Sequence, residues 1–374
     1  MCMCFGIKPI PKETLDNMEK FKYSYSDDSY LYNYCMSPCL NKLVNFLPKT
    51  LAPNLITFFS LMCNVVAFLV SLNDNGFDFD QPLKKSTCYI IGFSQILYQL
   101  LDSVDGKQAR RTGNSTPFGM IMDHGCDIFT NIFTAFNVSK LLIVGNEGFF
   151  SYSVFLGLMM GFYMMTYEDY KIGEMHFPVV NGADEGNFSV FLIGVWCGLF
   201  GQGWLLNSIF GLRVGKFFGG LIALGGLSAL YNLYLHTYQK KGTDENIRNV
   251  IDNLTFYCAI FIPIFYIYFK SDFYLVSKWV VILNSCILFA RVTLETQIKI
   301  ATMDTFKYNC MLIYSSLLFI LSLFISSFFI NLGFLVFLAL SQILEITVLI
   351  YIRANEIANY LEINIFSIEY HGEA

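Results

Sequence analysis

Charge is scarce in this chain of 374 residues. Asp, Glu, Lys and Arg make up only 14% of it and the formal net charge is −5, whereas about 25% is usual for a soluble domain. No basic tract or RNA-binding signature occurs, so we expect no nucleic-acid partner. There are only four His, and the eleven Cys show neither metal-binding spacing nor a secreted disulfide framework. These absences argue against a soluble protein, a zinc site and a disulfide-stabilised fold.

Apolar residues are abundant instead. They make up 55% of the chain and include 38 Phe and 23 Tyr. A helix that crosses a bilayer needs about 20 mostly apolar residues, and lipid offers no partner to unpaired backbone groups. The sequence therefore predicts an all-α polytopic membrane protein with about ten transmembrane helices. The predicted spans, of which the fifth is short, are 53–73, 86–104, 119–142, 150–166, 188–202, 214–235, 251–269, 275–291, 308–328 and 331–352.

The segment before the first span is polar and lysine-rich, without the apolar centre of a cleavable signal peptide. Residues 39–47 place Leu40, Leu43, Val44 and Leu47 on one helical face, which predicts an interfacial helix on the cytosolic surface. With the N-terminus in the cytosol, most of the 24 Lys and Arg fall on the cytosolic side. The predicted organisation is a cytosolic segment at 1–50, functional helices at 51–235, and further transmembrane helices with a short cytosolic tail at 236–374.

The segment 102–127 differs from the apolar sequence around it, since it carries four carboxylates. On a helix that turns about 100° per residue, five of its residues fall within one arc of roughly 140°. These five are Asp102, Asp105, Gly106, Ala109 and Arg110. After a turn at 113–117, Gly119, Asp123 and Asp127 recur every four residues and share one face of the next helix. The two faces can point toward one site.

Charged groups at membrane depth are costly, so this cluster must satisfy something that requires negative charge. Carboxylate oxygens without His or Cys suit Mg²⁺ or Mn²⁺. Four carboxylates could hold two ions, as in enzymes that clamp the attacking and leaving oxygens of a phosphoryl displacement. The alternatives are a proton or cation relay, as in transporters, or charges that pair helices without chemistry.

The complete pattern D-x-x-D-G-x-x-A-R, eight residues, G-x-x-x-D-x-x-x-D resembles the signature of the CDP-alcohol phosphatidyltransferases. The stretches APNLIT at 52–57, DGKQARRT at 105–112 and DHGCD at 123–127 resemble the eukaryotic choline/ethanolamine phosphotransferases in particular. The segment 166–186 is similar to a further block of those enzymes but departs from it, for example at Lys171, where His is common. Beyond about residue 190 only the hydropathy is alike.

This resemblance implies transfer of phosphocholine or phosphoethanolamine from CDP-choline or CDP-ethanolamine to diacylglycerol, with release of CMP. It further implies residence in the endoplasmic reticulum, and exposed apolar helices make a homodimer a reasonable expectation. The alternatives are a related enzyme such as a phosphatidylinositol synthase, which uses a CDP-lipid donor, or a cation-coupled transporter. Which head group is used stays open.

Site roles follow from the matched positions. Asp102, Asp105, Asp123 and Asp127 match the metal-binding residues of the family. A carboxylate held by a divalent ion is a poor proton acceptor. His124, whose imidazole can accept a proton, is therefore the expected general base, and Asp127 is the alternative.

Donor contacts are expected from four further positions. The planar fork of Arg110 suits a diphosphate. Asn54 matches a substrate-contacting position, although it could simply cap the helix that follows Pro53. Gly106 and Ala109 would leave room for cytidine, although close helix packing also explains small residues there. Lys107 and Arg111 could be ordinary determinants of membrane topology.

Overall fold

The computed structural model describes residues 7, 9–21, 23–241, 248, 250, 252–305 and 310–368. Helices make up most of these ranges. They are α1 (Lys12–Asp16), α2 (Ser37–Leu43), α3 (Pro53–Asn75), α4 (Lys85–Thr112), α5 (Pro117–Leu142), α6 (Phe150–Ile172), α7 (Asn187–Phe200), α8 (Val214–Lys241), α9 (Leu254–Phe269), α10 (Ser271–Thr302), α11 (Cys310–Ser322) and α12 (Phe328–Tyr360).

The expectation of an all-α membrane protein is confirmed. Among the described residues, four helical segments are long and apolar enough to cross a bilayer, with mean hydropathies of 2.3, 1.4, 1.8 and 2.2. They are Pro53–Asn75, Val214–Leu235, Ser271–Thr302 and Phe328–Tyr360. Each of the other predicted spans coincides with a helix, but the count of about ten crossings stays a prediction. Parts of two predicted spans and of the tail, at 251, 308–309 and 369–374, lie outside the described residues.

Several helices run past their predicted ends, and two of them carry residues of the motif or contact it. The span predicted at 86–104 continues as α4 to Thr112, and the span predicted at 275–291 continues as α10 to Thr302. Polar residues in these extensions lower the hydropathy, which is why the predicted spans stop early. In the structure many of those polar groups are buried and face neighbouring helices, so the helices continue.

Helix α3 packs against both α4 and α5, and α4 packs closely against α7. At the α4–α7 contact, a Cβ on Gly194 would lie 2.7 Å from the Cα of Gly92. Buried polar groups also link these helices, since Thr134 donates to Gln95, which donates in turn to Asn187. Close small-residue contacts and interhelical hydrogen bonds are the usual means of joining helices in lipid.

The predicted interfacial helix at 39–47 is present but starts earlier. A π-helical segment at Leu31–Met36 leads into α2, and a 3-10 turn at Val44–Phe46 follows. Leu40 and Val44 are buried in a small cluster with Val104 of α4, so this face of the segment contacts protein. Its position at a membrane surface stays a prediction.

Two short pairs of strands complete the described fold. Strand β1 (Tyr25–Asp27) pairs in parallel with β2 (Met175–Phe177), which follows α6. Strands β3 (Ser208–Ile209) and β4 (Leu212–Arg213) form a hairpin before α8. The β1–β2 pairing holds the N-terminal segment over the end of the bundle that carries the motif.

Candidate active site

A tight turn joins the two motif helices. Helix α4 ends at Thr112, and Gly113 follows it with a φ of +69°, the left-handed conformation that glycine adopts without strain. Thr116 then caps α5 by accepting a hydrogen bond from the backbone N–H of Gly119 at 3.0 Å, and Pro117 begins the helix. The predicted break at 113–117 is therefore correct, and it brings the acidic ends of α4 and α5 together.

Three motif carboxylates converge. Asp102, Asp123 and Asp127 each offer an oxygen, and these oxygens lie within 4.8 Å of one another. One oxygen of Asp102 and one of Asp123 are buried without a hydrogen-bond partner in the described part of the chain. Asp127 accepts a hydrogen bond from the hydroxyl of Tyr98 at 2.8 Å, which orients its carboxylate. Unpaired buried carboxylate oxygens are costly, so this arrangement calls for a cation.

The fourth motif carboxylate stands at the edge of this cluster. Asp105 is buried and accepts a hydrogen bond from the hydroxyl of Thr57, at the start of α3. It interacts electrostatically with Asp102 and with Asp123. The structure thus groups Asp102, Asp123 and Asp127 directly, and it places Asp105 beside them.

The imidazole of His124 lies next to the carboxylates and is buried. Its Nδ1 is 3.0 Å from Oε1 of Gln297 on α10. Its Nε2 is 3.4 Å from the hydroxyl of Tyr23 in the N-terminal segment. Both ring nitrogens therefore contact parts of the chain that are remote in sequence.

The three basic residues of the motif differ in their contacts. Lys107 donates to Asn41 at 2.9 Å, and Arg111 donates to the carbonyls of Val44 and Leu47 at 2.6 and 2.9 Å. These two side chains hold the helical segment before α3. Arg110 is exposed and makes no hydrogen bond or ion pair with the residues described here. Its guanidinium is therefore available to a ligand.

The remaining predicted contact residues lie around the same end of the bundle. The Arg110 guanidinium lies near Gly106, since a Cβ there would be 3.5 Å from Nη1, and Ala109 is half-buried on the same helix. Asn54 does not cap α3: its amide donates to the carbonyl of Ile365, near the C-terminus, at 2.7 Å. The side-chain oxygen of Asn54 lies 3.7 Å from the Cβ position of Gly119, so Asn54 borders α5 at the site.

Comparison with known proteins identifies the segment that carries this site. Residues 50–181 match the family model of the CDP-alcohol phosphatidyltransferases. They form a CDP-alcohol phosphatidyltransferase domain. It spans α3 to α6 and so contains every motif residue described above.

Relatives of the domain include eukaryotic phospholipid enzymes. The chain is 32% identical over 196 residues to choline/ethanolaminephosphotransferase 1 of Arabidopsis thaliana, covering 51% of this chain and 48% of the plant protein. It is 34% identical over 181 residues to ethanolaminephosphotransferase 1 of Mus musculus, covering 46% of each. An uncharacterised class-I family protein of Dictyostelium discoideum is 32% identical over 202 residues, 54% of this chain and 48% of that protein. The matches span about half the length of these relatives.

Several residues at the site of the phosphatidyltransferase domain were not predicted. Tyr23, Thr57, Tyr98 and Gln297 contact the predicted residues directly. Gln297 was detectable in principle, because an amide in an apolar helix requires a polar partner. The partner itself could not be read from the sequence, since it lies 173 positions away.

Two loop acids that follow the domain have structural partners. Asp184 is buried and accepts hydrogen bonds from Gln99 and Asn181, each at 3.1 Å. Burial raises the pKa of the Asp184 carboxyl, and these two hydrogen bonds offset part of that effect. Glu185 accepts a hydrogen bond from Ser29 at 2.7 Å. Both acids therefore join the loop to α4 and to the N-terminal segment.

The donor set of the domain fits a hard divalent cation. The converging atoms are all carboxylate oxygens, and two buried ones lack a partner within the described residues. Oxygen ligands of this kind suit Mg²⁺ or Mn²⁺ better than zinc.

Proposed function

We propose that this protein is a metal-dependent phosphotransferase. It moves phosphocholine or phosphoethanolamine from CDP-choline or CDP-ethanolamine to diacylglycerol, which yields phosphatidylcholine or phosphatidylethanolamine and CMP. The observation that carries the proposal is the convergence of Asp102, Asp123 and Asp127 beside His124. Relatives named for these two activities support the choice of substrates.

The carboxylates would hold Mg²⁺ or Mn²⁺, with two ions the proposed number. Asp102, Asp123 and Asp127 supply the converging oxygens, and Asp105 completes the set. When bound there, a divalent ion would supply positive charge that offsets the charge of the diphosphate. Arg110 pairs with diphosphate oxygens through its free guanidinium, and Asn54, Gly106 and Ala109 border the nucleotide.

His124 acts as the general base. Its Nε2 takes the proton from the diacylglycerol hydroxyl while the hydroxyl oxygen bonds to the phosphorus of the phospho-alcohol. The bond from that phosphorus to the bridging oxygen breaks, and CMP leaves with the electron pair. Asp127, the alternative base, already accepts a hydrogen bond from Tyr98 and belongs to the cation-binding cluster. A buried imidazole next to that cluster can accept the proton without competing with a cation.

The location follows from the membrane helices and the substrates. The protein is an integral membrane protein, and we place it in the endoplasmic reticulum with the site open to the cytosol, where soluble CDP-alcohols are found. The helices at 51–235, of which those within residues 50–181 match the family model, form the proposed catalytic part, and the helices beyond 235 support it. A homodimer is the proposed assembly.

The test uses membranes from a host that expresses the protein. They receive diacylglycerol with labelled CDP-choline or CDP-ethanolamine, with and without a chelator, and both CMP and labelled lipid are measured. We expect labelled lipid and equal CMP only when free divalent ions are present. Substituting Asp123→Asn should lower the rate by about a hundredfold or more, whereas the exposed Asp272→Asn on α10 should leave it unchanged.

Other results would contradict the proposal and identify its rivals. Label incorporated only from a soluble alcohol with a CDP-lipid donor would indicate a phosphatidylinositol synthase type of enzyme. Uptake of a solute without CMP release would indicate a transporter.

A further inference from the structure

An amide from outside the matched domain contacts the proposed base. Gln297 lies on α10, more than a hundred residues beyond the end of the matched segment, and its side chain is fully buried. Its Oε1 is 3.0 Å from Nδ1 of His124, and its Nε2 is 3.3 Å from the hydroxyl oxygen of Thr166 on α6. An amide can present either its oxygen or its nitrogen to a neighbour, so its orientation must be settled by its other contact.

Thr166 fixes that orientation. Its hydroxyl donates to the backbone carbonyl of Phe162 at 3.1 Å, one helical turn earlier. The hydroxyl hydrogen of Thr166 is therefore already used in a hydrogen bond. In its contact with Gln297, the Thr166 oxygen can only accept a hydrogen bond. The amide nitrogen must then face Thr166, which leaves the amide oxygen facing the imidazole.

The tautomer of His124 follows. Because the Gln297 oxygen is an acceptor, Nδ1 of His124 must carry the hydrogen. A neutral imidazole has one N–H, so Nε2 keeps its lone pair. Nε2 is also the nitrogen that faces Tyr23, whose ring lies within electrostatic reach of Asp123 and Asp127. The lone pair of Nε2 therefore faces the Tyr23 hydroxyl.

We propose that Gln297 is a positioning residue that holds His124 in the Nδ1–H tautomer, which keeps on Nε2 the lone pair that accepts a proton. This inference rests on the proposed role of His124 as base. Without the amide oxygen, the ring can turn or take the Nε2–H tautomer, and neither state can accept the hydroxyl proton at the required position. Mutation of a residue that orients a functional imidazole in this way typically lowers activity by about 10- to 100-fold.

Kinetics of three variants test the role. Gln297→Leu removes the acceptor and should lower kcat by about 10- to 100-fold with little change in the KM for the CDP-alcohol. Gln297→Glu keeps an oxygen at the same reach and should recover much of kcat. Gln342→Leu is the matched control, because Gln342 is also a buried amide in the bundle but has no hydrogen-bond partner within the described residues. It should behave as the wild type.

A double variant separates positioning from general support of the fold. In a His124→Ala background, Gln297→Leu should cause no further loss of kcat, because the ring on which it acts is gone. A further loss of the same size as in the wild-type background would overturn the inference, as would a wild-type kcat for Gln297→Leu.

A measurement that needs no activity distinguishes this inference from the proposed function. With only four His in the chain, ¹⁵N-histidine NMR of the purified protein can resolve the His124 signals, assigned by their loss in His124→Ala. At a pH where the imidazole is neutral, we expect a protonated Nδ1 in the wild type and in Gln297→Glu, and a mixture of tautomers in Gln297→Leu. An Nε2–H tautomer in the wild type would overturn the inference even in an active enzyme. Absence of CMP release with an Nδ1–H tautomer would refute only the proposed function.

Discussion

At the scale of single residues, the basic side chains of α4 divide between structure and ligand binding. Lys107 and Arg111 point to the helical segment before α3 and satisfy its oxygen atoms. Arg110, between them in sequence, is exposed and without a polar contact to the residues described here. Within about one turn of helix, two side chains therefore support the fold and one can reach a diphosphate.

Substitution of Arg110 tests this division. Arg110→Ala should raise the KM for the CDP-alcohol by about 10- to 100-fold, because a hydrogen-bonded charge on the diphosphate is lost. Arg110→Lys should give an intermediate KM, since an ammonium group keeps the charge but loses the planar fork. Initial rates against CDP-alcohol concentration provide the measurement. Arg213→Ala, in the β3–β4 hairpin, serves as the control, and an unchanged KM in Arg110→Ala would remove this residue from the site.

At the scale of helices, the site depends on how closely α4 meets α7. A Cβ on Gly92 would lie 3.0 Å from the backbone oxygen of Phe191, and a Cβ on Gly194 would lie 2.8 Å from that of Cys88. The backbones can approach this far only because neither glycine has a side chain. Since α4 carries Asp102 and Asp105, any shift of its axis moves two of the carboxylates.

Glycine substitutions can measure the importance of this contact. Gly194→Ala should destabilise the protein by about 1–3 kcal/mol, as expected when a side chain is forced into a packed contact. Gly161→Ala on α6 is the matched control, because a Cβ there meets nothing within 4 Å. It should be neutral or stabilising by up to about 1 kcal/mol. Thermal unfolding in detergent gives the comparison, and equal Tm values for the two variants would contradict the packing argument.

At the scale of the whole molecule, the helices beyond the matched domain have a buried charged cluster of their own. Nη2 of Arg291 on α10 lies 2.9 Å from Glu295 and 3.1 Å from Glu345 on α12. The Arg291 side chain is 4% exposed and that of Glu345 is 7% exposed. This cluster ties α12 to the helix that also carries Gln297, so the C-terminal helices and the site share one support.

Removal of the Arg291 charge should therefore lower the stability of the entire protein. Arg291→Met removes the cationic partner of the buried Glu345 carboxylate and should cost about 3–5 kcal/mol. Addition of Glu345→Gln should restore part of the loss. The exposed pair of Arg213 and Asp80 provides the contrast, since Arg213→Met should cost less than about 1 kcal/mol. The Tm values of these variants in detergent provide the measurement, and a wild-type Tm for Arg291→Met would rule out a supporting role for this cluster.

Local patterns determined much of this protein. Apolar runs predicted the helices because burial in lipid requires about the same run of residues wherever it occurs. The turn at 113–117 and the common face of Asp123 and Asp127 followed from the residue types and their spacing alone. The family was recognisable for the same reason, since all the motif residues lie within one short stretch, 102–127, on two consecutive helices.

Only the tertiary structure decided which groups meet across long separations. It brought Gln297 into contact with His124, the Ile365 carbonyl into contact with Asn54, and Tyr23 to the site. It also showed that Arg110, unlike Lys107 and Arg111, makes no polar contact with the described residues. Finally, it extended α10 beyond its apolar part. Such contacts depend on how helices pack against one another, and a hydropathy or motif pattern carries no information about the partner that a polar side chain finds.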